Sequence, residues 1–166
     1  METKRDTESG DVAIIGLACR FPDADNPVRF WKNLESEKSS IREIPNNRWD
    51  WKAYWGDPQV EENKTNSKWG SFIGDVDRFD ASFFSITPKE AQCMDPQQRI
   101  MLEMCWSCFE DACIVPADLS PKKVGVYLGV FNYDYQELMS QRKHSVAAHH
   151  ATILSWQGLR GMCQLI

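Results

Sequence analysis

Four cysteines lie between Cys93 and Cys113, and two of them, Cys105 and Cys108, have the spacing C-x-x-C. Thiols in this pattern do one of two chemistries. A pair can supply half of a tetrahedral zinc site, or a single thiolate can act as a nucleophile. A structural zinc needs a second ligand pair. Cys113 is close, but no histidine pair stands at finger spacing. On the apolar face of a helix, Cys105 and Cys108 read instead as small apolar side chains. A nucleophilic cysteine needs a helix N-terminus or a cation beside it. Cys93 stands between Glu90 and Asp95, whose charges oppose ionisation. Cys19 precedes Arg20 and is the better-placed thiol, although one adjacent arginine is a slender basis for catalysis. His149 and His150 are adjacent, so they do not share one helix face, and an exposed loop pair is expected. Val12-Ala-Ile-Ile-Gly-Leu17 has one glycine where a dinucleotide fingerprint needs three. From the residues alone no catalytic, metal or cofactor set assembles.

The totals set the frame. The chain has 166 residues, long enough for one domain with a core. Hydrophobic residues make up 42% and charged residues 26%, which places it among ordinary globular proteins. A net charge of -5 offers no broad basic surface to nucleic acid or anionic lipid. No apolar run approaches the length of a membrane span. The start, METKRDTESGD, lacks the apolar centre of a signal peptide. Together with six cysteines this leads us to expect free thiols in a reducing, cytoplasmic setting.

The elements that must position these residues follow from local signals. Residues 1–10 read as a flexible lead-in. Val12–Leu17 reads as a buried strand, followed by a loop, CRFPDADNP. Asn26 caps a helix with Pro27 at its first position, and Phe30, Trp31 and Leu34 fall on one face. That helix should fade near Ser36–Ser40. Residues 41–70 read as an irregular excursion pinned by tryptophans, and the phenylalanines of 71–86 should dock onto a core. Thr87-Pro-Lys-Glu90 and Asp95-Pro-Gln-Gln98 both have capping-box spacing. The second should open a long helix from Pro96 to about Cys113. Met101, Met104, Cys105, Cys108 and Ala112 would share its apolar face, with Arg99, Glu103 and Glu110 toward the other side. Arg99 is expected to pair with Glu103 or to hold a neighbouring loop. Val124–Val130 alternates with period 2 and reads as a second strand. FNYDYQELMSQRK should pass from a loop into a short helix.

Several stretches carry a further likeness. DVAIIGLACRFPDADNPVRFWKNL, IPNNRWDWKAYWGD, NKTNSKWGSFIGDVDRFDASFF, ITPKEAQCMDPQQRIMLEMCWSCFEDA and KVGVYLGVFNYDYQEL occur in this order. Each resembles, in the same order, a segment of the β-ketoacyl synthase domains of modular polyketide synthases. The Asn-Lys-Thr-Asn-Ser-Lys run is similar to the bacterial synthases that receive acyltransferase activity from a separate protein. The likeness covers about Asp11 to Thr152, and Met94-Asp-Pro-Gln-Gln-Arg99 beside RFP and RWDW is its most specific part.

That resemblance implies the N-terminal portion of a thiolase-like fold, layered α/β/α/β/α. It implies decarboxylative Claisen condensation of acyl thioesters. A cysteine at a helix N-terminus accepts the acyl chain, two histidines assist decarboxylation, and backbone N–H groups meet the developing oxyanion. No cofactor is bound directly. Substrates ride on the phosphopantetheine of an acyl carrier protein, so the implied partners are carrier domains and other synthase modules. Members of the family are homodimers.

The family's cysteine sits beyond the segment resembling HHAT, in a Thr-Ala-Cys-Ser-Ser-type turn that these residues do not contain. His144, His149 and His150 fall before that point and do not match the catalytic pair. We therefore expect an incomplete domain, inactive alone. A non-catalytic remnant that binds a carrier protein or a complementary synthase fragment is a second expectation, and an unrelated small α/β binding module a third. Residues 153–166, ILSWQGLRGMCQLI, depart from the family and are expected to be an aberrant tail from a frameshift or truncation. Cys113 stands where EDAG-type sequences have glycine. A left-handed cap there would cost about 1 kcal/mol. With closing strands absent, apolar faces should be exposed and the chain prone to aggregate.

Overall fold

The computed structural model describes residues 12–119 and 124–141. The expectations for the lead-in, for His144, His149 and His150, and for the 153–166 tail fall outside the described residues. The described elements are four helices and one two-stranded sheet. The helices are α1 (Pro27–Glu35), α2 (Pro88–Cys93), α3 (Pro96–Asp111) and α4 (Asp134–Gln141). The strands are β1 (Arg42–Glu43) and β2 (Trp69–Gly70), paired antiparallel with Arg42 opposite Gly70 and Glu43 opposite Trp69. Single 3-10 turns cover Trp51–Tyr54 and Pro116–Leu119.

The helices begin where their caps predict. The Asn26 side chain accepts from the Arg29 N–H, with Pro27 next in line. Thr87 and Glu90 form a complete capping box at α2. Asp95 and Gln98 form a second at α3, where Gln98 accepts from the Asp95 N–H at 3.2 Å. Each box satisfies donors that the first turn would otherwise leave without partners.

The ends of α1 and α3 share one geometry. At α3 the Cys113 N–H donates to Glu110 O and the Ile114 N–H to Phe109 O. At α1 the Glu37 N–H donates to Leu34 O and the Lys38 N–H to Asn33 O. These are Schellman closures, which place one residue in the left-handed region. That residue is Cys113 (φ 53) in one and Glu37 (φ 51) in the other, neither of them glycine.

The core sits under α3. Phe84, Ile86, Met94 and Leu102 are buried together, with Phe79, Ala81, Ala91 and Trp106 packed against them. Phe79 stacks on Phe84 at 5.3 Å, and Phe83 meets the Trp106 ring edge-on at 4.7 Å. The phenylalanines of 71–86 thus reach the core through Phe79 and Phe84, while Phe83 keeps half its surface exposed.

Four expectations need correction. Val12–Leu17 is not a buried strand. It pairs with no strand among the described residues, and Val12 and Ile14 are 93% and 87% exposed. Val124–Val130 has no ladder partner among the described residues either, and Tyr127 is 95% exposed. Apolar composition makes a strand only where a neighbouring chain satisfies its backbone groups. The helix α1 buries no residue; of its expected apolar face only Phe30 packs, against Phe21 at 4.5 Å. In α3 the deepest side chains are Gln98 and Leu102, with Trp106 following at the same four-residue step. The Met101–Cys105–Cys108 side is half-buried, so the inward row is rotated away from the expected one.

Candidate functional site

The segments that carry chemistry-bearing residues converge on α3. The first is the N-terminal segment. Gly16 lies against the last turn of the helix, where an added Cβ would stand 2.6 Å from Cys108 O and 2.8 Å from the Ala112 Cβ. Only glycine allows this approach. The contact is fixed by the Leu17 N–H, which donates to Asp111 Oδ2 at 2.8 Å. Cys105 and Cys108 are therefore half-buried on a helix partly covered by its own chain.

Cys19 is also half-buried. Its neighbour Arg20 is already engaged. Arg20 Nη1 donates to Glu103 Oε2 at 3.0 Å, and Nη2 donates to Gly74 O at 3.0 Å. Burial pushes the Glu103 carboxyl above its ordinary value. Arg20 and, more weakly, Arg99 pull the other way, and Asp80 adds to the rise. The guanidinium next to Cys19 is thus a tie between segments, aimed at a carboxylate and a carbonyl. Cys93 is buried at the end of α2, and Cys113 is exposed. Among the described residues no cysteines are joined in a disulfide, and no three His, Cys, Asp or Glu side chains gather as a metal ion would require.

Arg20 belongs to a larger device. Arg42 Nη2 donates to Phe72 O at 3.1 Å, and Arg48 Nη2 donates to Ile73 O. With Arg20 on Gly74 O, three guanidinium groups from separate segments hold three successive carbonyls. Arg42 also pairs with Asp23, at 3.8 Å, and Lys38 reaches the same carboxylate at 3.4 Å. Desolvation alone would raise the Asp23 carboxyl. The Lys38 and Arg42 charges and the Lys38 and Ser40 hydrogen bonds outweigh it and hold the group below its ordinary value. Asp23 takes a left-handed conformation (φ 59) in a turn closed by two hydrogen bonds between Phe21 and Ala24.

The DPQQR stretch forms the third junction. Asp95, Pro96 and Gln98 serve the helix start, as their spacing predicts. Gln97 Nε2 reaches Asn132 O at 3.1 Å, and the Tyr135 hydroxyl donates to Gln92 O at 2.8 Å. Arg99 lies over the Tyr135 ring at 6.0 Å, with its Nε buried and unpaired. Of the two roles expected for Arg99, the structure shows the one toward a neighbouring segment; the ion pair to Glu103 goes to Arg20. The sequence reading missed Arg20, Arg42 and Arg48 as a group. Their spacing follows no periodicity, and what they hold is main chain.

What the geometry offers is positioning. Three stretches of backbone are tied to α3 and its approach.

Comparison with known proteins gives this arrangement a context. The family profile "Beta-ketoacyl synthase, N-terminal domain" matches residues 9–160. The chain is 47% identical over 142 residues to the polyketide synthase ThaG of Burkholderia thailandensis, covering 86% of this chain and 2% of that protein. It is 42% identical over 151 residues to the polyketide synthase PksM of Bacillus subtilis, covering 90% of this chain and 4% of that one. Among solved structures, the oxazolomycin ketosynthase domain OzmH KS7 of Streptomyces albus superposes with a TM-score of 0.70 at 30% identity, over 85% of this chain and 27% of that chain. The ketosynthase from module 6 of the bacillaene synthase of Bacillus subtilis gives 0.68 at 36% identity, over 86% and 24%. The chain thus spans a few per cent of the curated relatives and about a quarter of the solved domains.

Proposed function

The chain belongs to the β-ketoacyl synthase family, and from that premise we propose that it builds the N-terminal part of a modular polyketide synthase's condensing domain, with a thiolase-like fold, and supplies none of the groups that bear the acyl chain. In the complete reaction an acyl group passes from a carrier-protein phosphopantetheine thioester to a cysteine thiolate. Loss of CO2 from a malonyl unit then leaves an enolate, which attacks the bound acyl carbon, forming the new C–C bond as the acyl–sulfur bond breaks and the cysteine thiolate leaves. This chain's described residues have a scaffolding part in that scheme. Arg20 ties the N-terminal segment to α3, Arg42 and Arg48 hold the carbonyls of Phe72 and Ile73, and Gly16 lets the N-terminal segment lie on the helix.

The observation that carries this reading is the engagement of Arg20. A nucleophilic Cys19 would need that cation, and the cation is held by Glu103 and Gly74 O. The test is covalent loading. The 166-residue protein is incubated with an acyl-pantetheine thioester and its intact mass is measured. We expect no stable adduct on any cysteine. Stoichiometric acylation of Cys19 would overturn the assignment.

A second reading rests on the exposed apolar residues Val12, Ile14, Ile15, Tyr127 and Phe131. It makes the chain a binding partner, without chemistry of its own, for a complementary ketosynthase segment or a carrier protein. Co-purification with the separately produced remainder of a ketosynthase domain would favour it; elution of the two apart would exclude it.

A further inference from the structure

Residues 44–68 leave and re-enter the fold between β1 and β2, and one lysine stands at their return. Lys68 Nζ lies 4.9 Å from the centroid of Trp51, 5.3 Å from Trp55 and 5.2 Å from Trp69. It also meets Glu43 Oε1 at 2.9 Å. Trp51 is buried and meets the Trp55 ring edge-on at 5.5 Å. Glu43 and Trp69 are cross-strand partners, so the two-residue sheet presents a carboxylate and an indole to the same ammonium. The Ile44 N–H donates to Lys68 O at 2.9 Å, which keeps the lysine's backbone at the base of the excursion.

Three ring faces and one carboxylate around a single ammonium form the environment that proteins use to bind alkylammonium groups. The attraction is to charge, so it survives methylation of the amine and is lost on acylation. Arg48, also within the excursion, donates to Ile73 O, and Lys52 Nζ lies 5.9 Å from the Trp51 centroid, but only Lys68 meets three rings and a carboxylate at once among the described residues. The ladder is two residues long, and the next backbone closure lies within the excursion, where the Thr65 N–H donates to Tyr54 O at 2.8 Å.

We propose that Trp51, Trp55, Trp69 and Glu43 form a cation cage for an alkylammonium group, filled from within by Lys68, and that the charge of this occupant latches residues 44–68 to the fold. A modification that removes the charge from Nζ opens the latch, and one that keeps it does not. The inference stands independently of the ketosynthase reading, because it concerns only the folding of this segment.

Two measurements on the full chain test it. Lysines are reductively methylated with 13C-formaldehyde, which preserves their charge, and the dimethylamino resonances are recorded. One resonance should be shifted upfield by the three indole ring currents, and it should vanish in Lys68→Arg. Absence of an upfield resonance in the unsubstituted protein overturns the proposal. Cleavage after Glu61 or Glu62 by a glutamyl endopeptidase then reads the latch directly. Lys68→Met, of similar length but uncharged, should be cut roughly tenfold faster than the unsubstituted chain, since proteolysis tracks the open population. Lys68→Arg should stay near the unsubstituted rate. Equal rates for Lys68→Met and the unsubstituted protein overturn the proposal.

Discussion

Arg20 and Glu103 meet at 3.0 Å across 83 residues of sequence, and their ion pair ties the N-terminal segment to the middle of α3. Both side chains are largely buried, at 16% and 30% exposure. Removing one partner leaves the other without its counter-charge, so Arg20→Met should lower stability by about 2 kcal/mol. The check is a shift in the urea midpoint at unchanged slope.

Glu103 and Asp23 should respond to acid in opposite senses. The Glu103 pKa is raised on folding, so the native state holds that proton more tightly, and stability is lost as pH rises through the folded value. Asp23 is lowered, so its contribution is present at neutral pH and lost as pH falls through the ordinary carboxylate range toward the folded value. Across the acid range the stability gap between the unsubstituted chain and Asp23→Asn should shrink on acidification. Relative to Glu103→Gln, the unsubstituted chain should gain. Parallel urea titrations at stepped pH read both, and equal slopes for the two variants would contradict the assignment.

Gly16 and Gly74 should behave oppositely on substitution by alanine. At Gly16 a methyl group meets a helix carbonyl that cannot move aside, and the cost should be about 2 kcal/mol. At Gly74 nothing lies within 4 Å, and φ is not positive. There alanine should be neutral or stabilise by about 0.5 kcal/mol through the unfolded chain. Thermal melts of the two variants distinguish these outcomes.

Cys113→Gly should stabilise the chain by about 1 kcal/mol, because glycine holds the left-handed cap of α3 without strain. Glu37→Gly makes the same test at α1. If neither substitution raises the midpoint, the Schellman closures are not formed in solution.

Self-association should follow from the exposed apolar residues. Tyr127 and Phe131 are 95% and 93% exposed, and Val12, Ile14 and Ile15 add to the uncovered apolar surface. Light scattering should show aggregates that diminish in Tyr127→Lys/Phe131→Lys. A monodisperse monomer with a sharp melt would count against this.

What the sequence disclosed was local. Thr87 with Glu90 and Asp95 with Gln98 are three residues apart, and their hydrogen bonds lie within one turn, so the helix starts could be read directly. The left-handed cap at Cys113 was legible only through the resemblance, whose EDAG-type segments have glycine at that place. The two apolar runs were read as strands because composition marks them as strand-like, but pairing is a property of neighbours. The inward row of α3 was misplaced because Gln98, a polar residue, sits among the most buried, where the capping box engages it. The Arg20–Glu103 pair, the arginines on residues 72–74 and the tryptophan cage have no periodic signature at all. They depend on which distant segments come together.

The three arginines on Phe72, Ile73 and Gly74 hold carbonyl oxygens rather than side chains. Every amino acid offers the same oxygen, so these three bonds by themselves ask nothing of the lettering of this short stretch; they ask for its length. One residue inserted or deleted there would put each guanidinium opposite the wrong carbonyl, and relatives of this chain should refuse gaps at these positions.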